Sequence, residues 1–191
     1  MALPVTFVAG DVLEADQLNS NFTYLDGKNA GLVCVKAETA FTSVASVTAD
    51  DVFTSAYSNY LIVLNYTQSN TAAVASFRYR TGGTSNSTAN YSYQNTLFTS
   101  SATFSIASGA TSQAVVPNYG AAGSSGNLNI LAPQLSQKTL VTGTLITESA
   151  GGNMIVGGGF NGTTQFDGIE FLISLGTVTG TYAIYGYSKT V

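Results

Sequence analysis

The sequence predicts an all-β protein, an antiparallel jelly-roll-like β-sandwich preceded by one short N-terminal helix. Three observations carry that expectation. The 191 residues include 25 Thr, 21 Ser, 14 Asn and 20 Gly, a composition in which Thr suits strands and the other three suit turns. Beyond Gly31 the apolar residues recur with period two, which places them on one face of a strand. Clusters of turn residues cut these runs into many short strands, the pattern of a two-sheet sandwich. A chain of this length buries roughly 70% of its extended surface, so a core forms without disulfide or metal.

Residues 1–30 read as a separate head. Ala15, Leu18, Phe22 and Leu25 are spaced three, four and three apart, one stripe of a helix expected over 11–27. Asp11 is the expected cap, with Glu14 three residues on as in a capping box and Gly27 as the stop. Asp11, Glu14 and Asp16 also favour the positive end of the helix dipole. So short a helix is marginal alone in water. Its stripe must bury against the chain's own sandwich or against another chain, as an attachment or oligomerisation element. Charge is uneven in the same sense: of the net −4, residues 1–51 carry −5 and the remainder +1.

Residues 31–191 read as the sandwich. Strands are expected at 32–38, 40–47, 60–67, 73–80, 91–98, 103–107, 128–131, 139–148, 154–160, 169–175 and 182–189. In Phe77-Arg78-Tyr79-Arg80 the aromatics face one way and the arginines the other, as in a half-buried strand. Tyr60, Ile62, Leu64 and Tyr66 alternate with Leu61, Val63 and Asn65, a strand apolar on both faces and therefore central. Turns are expected at 81–83, 120–126, 151–153 and 161–162, and 108–126 reads as a mobile loop.

Composition excludes several kinds of chemistry. The chain has no His, which removes imidazole bases, Ser-His-Asp triads and His-ligated metals. Cys34 is the only cysteine, expected to be a free, partly buried thiol without an activating base. Charged residues make up 8% of the chain, against about 25% in ordinary domains. Arg78 and Arg80 are the only close basic pair, too little for a nucleic-acid groove. The opening lacks a basic leader, and the strongest apolar run, 60–64, is too short to span a bilayer. Synthesis in a cytoplasm, no membrane insertion, no cofactor and no metal are the expectations.

Few residues invite a site. Asp167 and Glu170 could pair as a glycosidase does, but residues three apart point to opposite faces of a strand, so a turn acid and an outward strand residue are expected; Glu148 could join them only through the fold. Gly157-Gly158-Gly159 lacks the rest of a phosphate-binding loop and reads as close backbone packing or a bulge. The tyrosines are more suggestive, because Tyr beside Asn can stack on sugar rings while amides bind hydroxyls. Asn90, Tyr91 and Tyr93 are the candidate glycan surface, core and cross-strand packing the alternative.

Two segments carry a family resemblance. Gly10-Asp11-Val12-Leu13 leading into a helix with Gln17-Leu18-Asn19-Ser20-Asn21-Phe22 resembles the leading segment of bacteriophage tail-fibre and related minor structural proteins. Residues 166–189, closing on Tyr182-Ala183-Ile184-Tyr185-Gly186-Tyr187, resemble the last strands of phage β-sandwich domains. The resemblance implies a non-enzymatic virion structural protein, anchored by its head to other virion proteins, with the sandwich facing outward as a homotrimer. A tail-fibre or adhesin-type appendage is the first expectation; a capsid decoration protein or a module binding host surface glycan is the alternative. Ala15, Leu18, Phe22 and Leu25 would then meet the partner.

Overall fold

The computed structural model describes residues 4–10, 12, 14–26, 31–68, 74–98, 103–116, 123–147 and 152–189. Helix α1 (Ala15–Asp26) precedes β1 (Leu32–Val44), β2 (Ser46–Ala49), β3 (Asn59–Gln68), β4 (Ala75–Thr81), β5 (Thr84–Ser85) and β6 (Tyr91–Phe98). Then come β7 (Thr103–Thr111), β8 (Ala114–Val116), β9 (Ser124–Leu131), β10 (Thr139–Thr147), β11 (Gly152–Phe160), β12 (Gly168–Ile173) and β13 (Val178–Tyr187).

The strands form an antiparallel sandwich. One sheet runs β1-β13-β3-β9-β10-β11-β6-β7; the other runs β2-β12-β4-β5, with β8 also on β4. The interleaving of β1-β13-β3-β9 with β2-β12-β4-β5 is the order of a double-sheet jelly roll. Its larger sheet is extended past β9 by β10, β11, β6 and β7.

Alternation builds the core. In β3, Tyr60, Ile62, Leu64 and Tyr66 are buried, and in β12 so are Ile169, Phe171 and Ile173. Phe77 and Tyr79 of β4 are buried while Arg78 and Arg80 are not, as their alternation requires. Aromatics then link the layers: Tyr79 stacks on Tyr91 at 5.9 Å and on Phe166 at 4.9 Å, and Phe160 meets Tyr91 edge-on at 5.1 Å. Such pairs contribute about 0.5–1.5 kcal/mol each beyond the area they bury. At one end Gln134 donates from its side-chain amide to the carbonyls of Phe53 (2.9 Å) and Phe166 (2.7 Å).

Several elements differ from expectation. The two runs at 32–47 form one long strand, β1, plus the short β2, because irregular register against β13 absorbs the change of phase. Strand β3 is central, between β13 and β9, yet only one of its faces is covered, and Val63 is 36% exposed on the other. The segment 108–126 is more ordered than a loop: β7 runs to Thr111, β8 pairs with β4, and β9 begins at Ser124; residues 117–122 lie outside the described set. Cys34 is exposed rather than partly buried, since on β1 the inward-leaning neighbours are Val33 and Val35.

Candidate functional site

The head holds itself together through Asn21. Its side-chain amide donates to the Val5 carbonyl (2.9 Å) and its side-chain oxygen accepts the Val5 N–H (3.0 Å). This pair clamps the leading segment along the helix, and Asn21 is the residue of α1 that is buried. The helix starts later than expected: Ala15 is its first residue, and Leu18 N–H bonds the Glu14 carbonyl at 3.2 Å. Glu14 therefore stands at the boundary that the pattern gave to Asp11; Asp11, like Gly27, lies outside the described residues. The apolar stripe is bare, although Leu18 and Leu25, three and four residues from Asn21, lie beside it on the helix. Leu18 is 38%, Phe22 60% and Leu25 48% exposed, and Ala15 is exposed as well. The stripe does not pack on the chain's own sandwich.

The acid–base pairs of the body are structural. The Arg80 guanidinium meets both carboxylate oxygens of Asp50 (Nε 2.6 Å, Nη2 3.3 Å) and donates to the Ser85 hydroxyl at 2.6 Å and the Gly83 carbonyl. The bond to Asp50 pushes the Arg80 pKa up. Asp167 caps the adjacent turn by accepting the Gly82 N–H at 2.7 Å, where Gly82 and Gly83 have φ of 55° and 74°. Glu170 lies opposite Arg78 in the β12–β4 ladder. Asp167 thus serves the turn and Glu170 the Arg78 row, while both also act on the Arg80 charge; Glu148 lies outside the described residues. Among the described residues no group of three or more His, Cys, Asp or Glu could hold a metal ion. No described helix is long and apolar enough to cross a membrane.

The three residues expected to bind glycan separate. Tyr91 has no exposed surface; its hydroxyl donates to the Asn86 carbonyl and accepts the Tyr79 N–H, both at 3.0 Å. It is a core residue and offers no ring to a ligand. Asn90 is exposed in the preceding turn, its N–H bonded to the Thr88 carbonyl. Tyr93 alone reaches a concave surface.

That surface is a hollow of about 840 Å³ across β10, β11, β6 and β7. The ladders place Thr142, Gly157 and Gln94 in one cross-strand row, and Ile155 and Thr96 in the next. Thr142 and Gln94 are exposed, while Ser92, Thr96 and Ser108 are half-buried. No Asp, Glu, Lys or Arg lines the hollow among the described residues. The glycine run beneath it divides into positions that the backbone requires and one that it does not. A Cβ at Gly158 would come 2.3 Å from the Ser92 carbonyl oxygen, and one at Gly159 2.6 Å from that of Thr139. Both are required by close backbone packing; the unbroken register on either side shows that there is no bulge. Gly157 differs. A Cβ there would meet only the Gln94 carbonyl oxygen, at an ordinary 3.5 Å, so the backbone does not demand glycine and the missing side chain opens the floor. Sequence reading lacked this distinction because the three glycines are adjacent and identical.

Comparison with known proteins adds little. No protein-family model matches the chain, and no curated protein does. Among solved structures, galectin LEC-6 of Caenorhabditis elegans is similar at 10% identity, covering 78% of this chain and 95% of that one, with a TM-score of 0.34. The assignment of a sandwich rests on the strand order, not on that likeness.

Proposed function

We propose that the chain is a non-enzymatic structural protein of a bacteriophage virion, an appendage of tail-fibre or adhesin type that joins the particle through its N-terminal segment. One observation carries this reading: Leu18, Phe22 and Leu25 form an apolar helical stripe left exposed by their own chain, on the segment that resembles the leading part of phage fibre proteins. Three exposed large side chains in line are a contact surface rather than a random scatter. Burying each is worth roughly 1.5–3 kcal/mol, enough to hold a partner when several act together. The Asn21–Val5 clamp ties the leading segment to the helix beside Leu18 and Leu25 and still leaves both of them exposed. The sandwich then faces away from the particle.

The test is incorporation. L18D combined with F22D removes the chain from gradient-purified virions while leaving the β-sandwich folded, with its strand circular dichroism as in wild type. Recovery of the double variant in virions at wild-type stoichiometry overturns the attachment, and absence of the wild-type chain from virions overturns the virion reading itself.

A further inference from the structure

We infer that the hollow over Gly157 is a binding site for a neutral saccharide. This is independent of how the chain is anchored, because the site belongs to the outward face of the larger sheet and the anchor to α1. Three features converge. The hollow is shallow and open to solvent, and the space over its floor, about 840 Å³, leaves room for a ligand lying along the sheet. The lining from Ser92, Gln94, Thr96, Ser108 and Thr142 consists of hydroxyls and an amide, groups that both donate and accept and so match a ring of hydroxyls. With no acid or base among them, they offer hydrogen bonds but no opposite charge to a phosphate, a sulfate or an ammonium ion, which leaves a neutral ligand the better match. Ile155, 49% exposed at the edge of the floor, supplies the apolar contact that the C–H face of a pyranose needs.

Gly157 gives the strongest reason to read the hollow as a site. Strand positions favour β-branched residues, and a Cβ at 157 would meet the backbone at an ordinary distance. Glycine there costs strand stability, and what it leaves is an open floor between Thr142 and Gln94. The geometry thus separates a glycine required by the fold, Gly158, from one that the fold does not require, Gly157.

The experiment is saturation-transfer NMR on the full chain, with methyl glycosides of glucose, galactose and N-acetylglucosamine, their linear oligomers, and a heparin fragment as anionic control. At least one neutral saccharide should bind at concentrations up to about 10 mM, a weak but measurable affinity. Gly157→Val, which fills the floor and keeps the wild-type melting temperature, should weaken binding about tenfold or more, because its methyl groups occupy the space that the ligand would take. Gln94→Ala should weaken it about three- to tenfold, the weight of one hydrogen bond. No binding to any neutral probe, binding to heparin alone, or neutral binding unchanged in both variants each overturns the site.

Discussion

At the residue scale, two neighbouring tyrosines make opposite predictions. The Tyr91 hydroxyl satisfies the buried Tyr79 N–H and the Asn86 carbonyl, whereas the Tyr79 hydroxyl is buried without a hydrogen-bond partner among the described residues. Removing a partner from a buried donor costs about 1–3 kcal/mol, while removing an unmatched polar group costs little or nothing. Y91F should therefore lower the melting temperature by several degrees, at about 2–4 °C per kcal/mol for this size. Y79F should leave it unchanged or raise it, and scanning calorimetry of the two variants reads the contrast. Burial also sets the alkaline limit. It pushes the Tyr66 and Tyr91 hydroxyls up to about 12 from the ordinary 10.0. Because the folded pKa lies above the unfolded one, their contribution is complete below pH 10 and is lost as pH rises through 12. Each two-unit difference corresponds to about 2–3 kcal/mol. With no His to titrate, the melting temperature should stay level from pH 6 to 9 and fall steeply between 10 and 12.

At the element scale, legibility followed local pattern. The alternation in 60–66 and 77–80 marked the buried faces of β3 and β4 because each needs only its own residues to declare a period of two. The stripe of α1 was legible for the same reason, but its destination was not: exposure of Leu18 and Phe22 depends on where the chain does not go. Asn21 escaped notice because a clamp on Val5, sixteen residues back, has no periodic signature. Tyr91 and Tyr93 look alike in sequence and alternate onto the same face of β6, which keeps unbroken register with β11; Tyr91 is fully buried and Tyr93 only half-buried, a difference that no local period announces. The short β5 and β8 add too few residues to announce themselves and exist through pairing with β4. One prediction belongs here. Asn21→Ala removes both bonds to Val5, so the amide of Val5 should lose hydrogen-exchange protection while the protection of β3 and β9 stays as in wild type. Equal protection at Val5 in both proteins would show that the clamp does not hold the leading segment.

At the scale of the whole molecule, two surfaces face outward with different chemistry. The extension of the jelly roll by β10, β11, β6 and β7 carries the polar hollow, and the head carries an apolar stripe whose 3-4-3 spacing is that of the a and d positions of a heptad. In solution the chain has only its own copies against which to bury that stripe. A 12-residue helix is marginal alone and gains stability by such burial, and association through the head leaves the hollow open on every copy. Three copies is the expectation that the resemblance to phage fibre proteins carries. Light scattering at micromolar concentration should therefore return three times the 19.7 kDa of the chain. Deletion of residues 1–30, or L18D with F22D, should return a single chain mass with the sandwich still folded. A wild-type mass near 19.7 kDa would sink the trimer. A trimer that survives the loss of the head would move the contact to the outward sheet, where Leu140, Ile146 and Phe98 are 47%, 61% and 41% exposed, next to the hollow that a saccharide would otherwise occupy.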